Sequence, residues 1–322
     1  VRLSPELAEY IVAVVRDTWV NLRRALSTES PVLTPTGWVK AGDVVVGDAL
    51  IAVDGSPTRV VGVYPQGERP LWRVRLSDGT SARVTSDHLW AVQGRWERER
   101  PGRRNRRCCR EGWLPGPDGL RIATTDQLRE RLAKSRRRQR AWSLPFVEPV
   151  QFPARSVPID PYVLGVLLGD GGLSTKSIRL STADSEIAER VQRRLAAGLT
   201  IQRITGTKYA HIIRGAGRGR PNALKNALRD LGLLGLRSPD KFIPAIYLWN
   251  DPDTRLALLR GLMDTDGSVS GDRHVSFSST SQRLIEGVEF LVRSLGGQTK
   301  RSMRTFAHGE GHHLRGHWVR HR

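Results

Sequence analysis

Two aspartates and a lysine, Asp170, Asp266 and Lys241, are the side chains best suited to chemistry on an anionic substrate in this 322-residue sequence. Each Asp ends a short apolar run and is followed by glycine, in VLGVLLGDG (Val163 to Gly171) and in RGLMDTDG (Arg260 to Gly267). Two carboxylates brought together would supply hard oxygen ligands of the kind Mg²⁺ takes. A second group is Thr85, Asp87, His88 and Trp90, in TSDHLW. A neutral imidazole beside a hydroxyl can protonate a departing amide nitrogen or polarise a carbonyl. Taken alone, these residues are better explained by a turn-capping Thr with a structural His.

The elements that must position the acids are helices. Gly165 and Gly169 in the first run, and Gly261 and Thr265 in the second, are spaced four apart, which puts small residues on one helical face. Two such faces can approach closely. Gly171 and Gly267 then suit helix C-caps at positive φ. Asp170 and Asp266 fall at the predicted C-terminal ends, where the macrodipole is negative and a carboxylate is unfavourable, so a cation is expected to offset them.

The chain carries 52 Lys and Arg against 32 Asp and Glu, a formal charge of +20. Such an excess favours a polyanionic partner, and nucleic acid leads because no spanning or lipid-anchoring segment accompanies the charge. Cys108 and Cys109 are the only cysteines, adjacent in an Arg-rich run. They point to neither a disulfide scaffold nor zinc, and to a reducing cytoplasm. No segment near Val1 reads as a signal peptide.

With two acidic motifs and KFIP (Lys241 to Pro244) between them, Pro158 to Gly297 resembles the monomeric, two-motif LAGLIDADG homing endonucleases. The resemblance implies that Asp170 and Asp266 bind the catalytic metal, that Lys241 assists cleavage, and that double-stranded DNA is the substrate. It also implies two pseudo-twofold αββα repeats whose strands lie in the major groove, with Arg179, Arg203, Lys208, Arg214 and Lys300 on candidate strands. Ordinary exposed polar faces account for some of these five.

ALSTESPVLTPTGWVKAGDVVVGDALIAVDGSPTRVVGVYP, followed by DGTSARVTSDHLWAV, resembles the N-terminal half of an intein, the Hedgehog/intein (Hint) splicing fold, from Ala25 to about Val92. The resemblance makes Thr85 and His88 activators of an N-terminal scissile bond. It places Ala25 where most inteins have a nucleophilic Cys or Ser. Trp90, two residues after the histidine, matches inteins of the third mechanistic class, which use an internal Cys downstream; none follows Cys109 here. The C-terminal half of the splicing domain is not found, so splicing is expected to be impaired unless a second polypeptide supplies it in trans.

The expected fold is therefore α+β: 1–24 as host-protein sequence, 25–95 as an all-β Hint-type unit, 96–150 as a basic interval, and 151–322 as the endonuclease. The basic interval, with RPGRRNRRCCR, KSRRRQRAW and the tryptophans Trp96, Trp113 and Trp142, is either a DNA-recognition insert or a solvated linker. Leu3 to Leu22 reads as a helix followed by a buried strand. A monomer acting on DNA is expected, with a DNA-binding protein of the same fold that does not cut as the alternative.

Overall fold

The computed structural model describes residues 6–15, 26–52, 54–94, 114–115, 120–134, 142–174, 176–215, 222–271, 274–303, 311–314 and 317–320. Ala25, the paired cysteines, Trp96, Trp113 and both arginine runs lie outside them. Among the described residues the chain is α+β, with the strands of the first half giving way to helices in the second.

The first half holds β1 (Glu6–Val15), β2 (Leu26–Ser27), β3 (Pro31–Thr34), β4 (Gly37–Lys40), β5 (Ala49–Ile51), β6 (Pro57–Arg75), β7 (Ser81–Val84) and β8 (Leu89–Gly94). Where a helix preceding a strand was expected, β1 is one strand. It pairs antiparallel with β6 from Glu6↔Leu71 to Val15↔Val60, and also meets β2. The β-branched run YIVAVV favours pairing over helix. A hairpin turn at SDGT (Ser77 to Thr80) joins β6 to β7: Gly79 has φ +92°, and Asp78 accepts from both the amide and the hydroxyl of Thr80. Val44, Leu50 and Val60 form a small core beneath these strands.

β8 turns into a separate sheet. It pairs on one side with β10 (Arg121–Thr124), which also pairs with β9 (Leu114–Pro115), and on the other with β11 (Trp142–Ser143). Helix α1 (Thr125–Lys134) follows β10, and Val92 and Ala123 are buried between Trp90, Leu128 and Trp142. Strand pairing thus crosses residue 95 and continues to Ser143. Trp142 lies 5.7 Å from the Arg121 guanidinium, an internal cation–π contact.

The segment 147–151 joins the two halves. The Gln151 amide donates to the Gly55 carbonyl and the Val150 amide to the Ser294 carbonyl. Arg255, wholly buried, donates to the carbonyls of Val150, Asn250 and Ser294.

The second half opens with α2 (Pro161–Asp170), β12 (Gly171–Leu173), β13 (Ile178–Ser181), α3 (Ser185–Arg194), β14 (Leu199–Arg203), β15 (Ala210–Gly215) and α4 (Ala223–Asp230). After the short α5 (Ala245–Leu248) come α6 (Pro252–Asp266), β16 (Gly267–Ser270), β17 (His274–Phe277), α7 (Gln282–Ser294), β18 (Gly311–Leu314) and β19 (His317–Arg320). An αββα order therefore occurs twice, as expected. Each copy is extended by a hairpin, and the copies are not equal. In the first, the hairpin joins the sheet in the order β12-β13-β15-β14. In the second, β16–β17 and β18–β19 are separate two-stranded sheets. Leu173 and Ile178, paired in the first copy, are buried; the corresponding pair, Val269 and Val275, is 71% and 61% exposed. One large core, from Ile159 to Leu291, packs α2, α6 and α7 against the four-stranded sheet.

Candidate functional site

Both motif helices start the same way. Asp160 and Asp251 cap α2 and α6 by accepting from the Val163 and Thr254 amides, and Pro161 and Pro252 occupy the first turn. The helices then run side by side on the small residues picked out by spacing. A Cβ built on Gly165 would stand 2.3 Å from the Leu258 carbonyl oxygen, and one on Gly261 2.3 Å from that of Tyr162. One turn on, a Cβ at Gly169 would stand 2.0 Å from Thr265 Oγ1 and 3.4 Å from an oxygen of Asp266. Only glycine leaves the backbones room to touch.

The expected positive φ at the glycines after the acids is not found. Gly171 has φ −82°, ψ 137° and Gly267 φ −82°, ψ 152°, both extended. Each helix passes straight into a strand, and glycine is needed there for closeness instead: a Cβ would lie 2.2 Å from the Leu167 oxygen or 2.3 Å from that of Met263.

Asp170 and Asp266, the last residues of α2 and α6, are half-buried at this end of the seam. Burial raises the carboxyl of Asp170, opposed by the Lys241 charge. Burial also raises Asp266, with the Asp170 charge adding and Lys241 opposing. The cation beside both acids is Lys241, only 3% exposed. Its ammonium donates to the carbonyls of Leu167, Leu168, Gly169 and Gly171 at 3.2, 2.9, 2.9 and 2.8 Å. Three protons thus serve four oxygens at the negative end of α2. Burial lowers its pKa, and Asp266 and then Asp170 hold it up. Its own carbonyl accepts from the Ser281 hydroxyl, which caps α7.

Among the described residues no group of three or more His, Cys, Asp and Glu side chains is placed to hold a metal. The two carboxylates nevertheless fit a small hard cation, since Mg²⁺ commonly takes one or two carboxylates and completes its shell with water and phosphate oxygens. Raised carboxyls facing the negative ends of two helices are the electrostatic situation such a cation relieves.

The five predicted DNA contacts separate by place. Residues paired across strands share a face. The row Arg179, Ile212, Gln202 and the row Arg214, Thr200 face away from the core, which holds Leu180 and Ile213 on the other side. Arg203 falls on the opposite face, in the row of His211 and Leu180, and its guanidinium donates to the Lys208 carbonyl. Lys208 lies in the turn between β14 and β15, its ammonium 5.2 Å over the Tyr209 ring. Lys300 is exposed in the coil after α7, not on a strand. Strand parity and turn length decided these positions, and neither was fixed by locating basic residues.

At the second group, Thr85 is buried and its carbonyl accepts from the His88 amide. Asp87 lies 3.7 Å from the Arg69 guanidinium. The His88 and Trp90 rings are 4.9 Å apart, tilted by 54°.

Sequence reasoning missed several residues. Tyr162 donates to Asp264 at 2.7 Å, and Arg190 reaches the same oxygen at 2.8 Å, pinning α3 to both motif helices. Burial and Asp264 push the Tyr162 phenol up to about 12. Tyr247 donates to the Ile159 carbonyl and accepts from its amide. Thr125 contacts both His88 and Trp90. The partners are far apart along the chain, so no local pattern revealed them.

A glycine-seamed pair of helices ending in two acids, each followed by antiparallel strands, defines a two-motif α+β domain. Residues 253–315 match the LAGLIDADG-like domain family, so the chain carries a LAGLIDADG-like domain, the type that homing endonucleases use. It is 32% identical to the replicative DNA helicase DnaB of Mycobacterium intracellulare, over 85% of this chain and 42% of that protein. Identity is 25% to the replicative DNA helicase DnaB of Rhodothermus marinus, over 78% of this chain and 24% of that protein. It is 26% to a probable translation initiation factor IF-2 of Thermococcus kodakarensis, over 84% of this chain and 23% of that protein. The chain spans less than half the length of each of these relatives. These findings agree with the intein and homing-endonuclease resemblance drawn from the sequence. No helix among the described residues is long and apolar enough to cross a membrane.

Proposed function

We propose that this chain is an intein-type homing endonuclease that makes metal-dependent double-strand cuts in DNA, attached to the N-terminal part of a Hint-type splicing unit. The convergence of Asp170 and Asp266 beside Lys241 at the end of the glycine seam carries this reading. Similarity that covers most of this chain, yet only part of both a helicase and an initiation factor, supports a segment carried within hosts of unrelated function.

Asp170 and Asp266 hold the divalent cations, with Mg²⁺ the best match to their oxygens. When bound, such cations lower the pKa of an attacking water and neutralise the departing 3′ oxygen. The chain supplies the rest. The seam fixes the spacing between the carboxylates, and Lys241 fixes the end of α2. Because its protons are taken by carbonyls, Lys241 adds its charge through space, toward the negative charge that builds on the oxygens of the phosphorane. Arg179 and Arg214 face outward to meet phosphates or base edges.

In the first half, Thr85 and His88 activate an N-terminal scissile peptide bond, with His88 protonating the departing nitrogen. Completion of splicing requires a C-terminal segment, supplied in trans if it is not in this polypeptide. The chain works as a monomer on double-stranded DNA in the cytoplasm.

The test is Mg²⁺-dependent linearisation of a plasmid carrying a helicase gene that lacks this segment. Linear product that disappears with a chelator is expected. A shifted but uncut plasmid at every Mg²⁺ concentration would overturn cutting and assign a DNA-binding role.

A further inference from the structure

Residues 121–134 fall in the basic interval that the sequence leaves between linker and DNA-recognition insert, yet their contacts lead to His88. β10 runs antiparallel along β8, with Thr124 opposite Leu89 and Ala123 opposite Trp90. α1 then begins by giving its first amides to the His88 segment: Thr125 donates to the His88 carbonyl at 2.9 Å and Asp126 to the Ser86 carbonyl at 3.0 Å. Such amides have no partner within a helix, so loop carbonyls serve as the cap. Thr124 and Gln127 complete it reciprocally, the Gln127 amide donating to Thr124 Oγ1 and the Thr124 amide to Gln127 Oε1.

The Thr125 hydroxyl links the two aromatic residues. It accepts from the Trp90 indole at 3.0 Å and donates to the His88 carbonyl at 3.2 Å. A hydroxyl has one proton, so donating to His88 leaves its lone pairs for Trp90. At 4% exposure, water does not replace it.

We propose that Thr125 is a positioning residue of the peptide-activating site, and that residues 121–134 belong to that site. With the first turn of α1, Thr125 fixes the carbonyls on both sides of Asp87 and the indole of Trp90. His88 is thereby held against Trp90. Thr125 acts through those two residues and does not touch the scissile bond. This inference rests on reading Thr85–His88 as the site that activates a peptide bond, and it adds to that site a segment that otherwise reads as linker.

Two measurements on the full chain test it. The first is hydrogen exchange of the Trp90 indole and the His88 amide. Thr125→Val is expected to speed exchange about tenfold, while Thr125→Ser stays within about twofold of the parent. Unchanged protection in Thr125→Val overturns the proposal.

The second uses Ala25→Cys with dithiothreitol. The introduced thiol attacks the Arg24 carbonyl carbon, the C–N bond breaks, and the nitrogen leaves with a proton from His88. Dithiothreitol thiolate then cleaves the thioester and releases residues 1–24. Adding Thr125→Val is expected to slow release about tenfold, with Thr125→Ser restoring it; an unchanged rate overturns the positioning role. If Ala25→Cys releases nothing, the peptide-activating reading falls and the positioning role of Thr125 in that reaction with it. The exchange measurement still decides whether Thr125 holds His88 and Trp90.

Discussion

Gly165 of the first motif helix lies directly against Gly261 of the second, so that a Cβ built on Gly165 would stand 3.0 Å from the Gly261 Cα. At this crossing the helices meet backbone to backbone, with no side chain between these two glycines to give way, and one turn on only the Thr265 side chain stands between the helices, against Gly169. Gly165→Ala must push α6 back by bulk that no rotamer can relieve. We expect a loss on the order of 2–3 kcal/mol, read from urea or thermal unfolding, together with slower DNA cleavage. Gly172→Ala is the control, since its Cβ would meet only Arg179 Cβ at 3.5 Å.

Asp170→Asn and Asp266→Asn are each expected to abolish cutting while leaving DNA affinity within a few-fold, compared by linearisation and by gel shift. A wild-type cutting rate in either variant would remove it from the metal site.

The same carboxyls predict a trend in stability with pH. Their folded-state pKa values lie above the ordinary 3.8, chiefly through burial. The folded chain therefore holds protons that the unfolded chain has released as pH rises from 3.8 through the raised values, and stability falls across that window. In chelator at neutral pH, either Asn variant should melt higher than the parent. A lower melting temperature in both would show that the charges are compensated without metal.

Tyr247 joins α5 to the start of α2 through both the amide and the carbonyl of Ile159, at 3.1 and 2.8 Å. Tyr247→Phe leaves that buried pair without partners and is expected to cost about 1–3 kcal/mol in denaturant titration. Burial also pushes the Tyr247 phenol from 10.0 up to about 12. A raised phenol contributes stability that is complete below pH 10 and is lost as pH climbs through about 12. The alkaline slope should flatten in Tyr247→Phe.

DNA binding should follow strand parity. Arg179→Ala and Arg214→Ala are each expected to weaken binding and to reduce the salt-dependence slope by roughly 1. Arg203→Ala should change neither, because that guanidinium is turned to the Lys208 carbonyl on the other face. Titrations at several salt concentrations separate the two outcomes.

By itself the sequence determined the two acidic motifs, the small-residue faces, Lys241 between them, the αββα order and the TSDHLW group, because helical periodicity, turn chemistry and charge are properties of neighbouring residues. It also predicted wrongly where geometry depends on what the chain does next. Gly171 and Gly267 look like positive-φ caps in isolation, but both helices run directly into strands and the glycines are required for contact. Only the tertiary structure decided that Lys241 spends its protons on the end of α2, that Arg203 faces away from Arg179, and that Thr125 reaches Trp90. Each of these depends on a partner brought close by packing or on the register of a strand, and such distances are fixed by the closed core and not by local spacing.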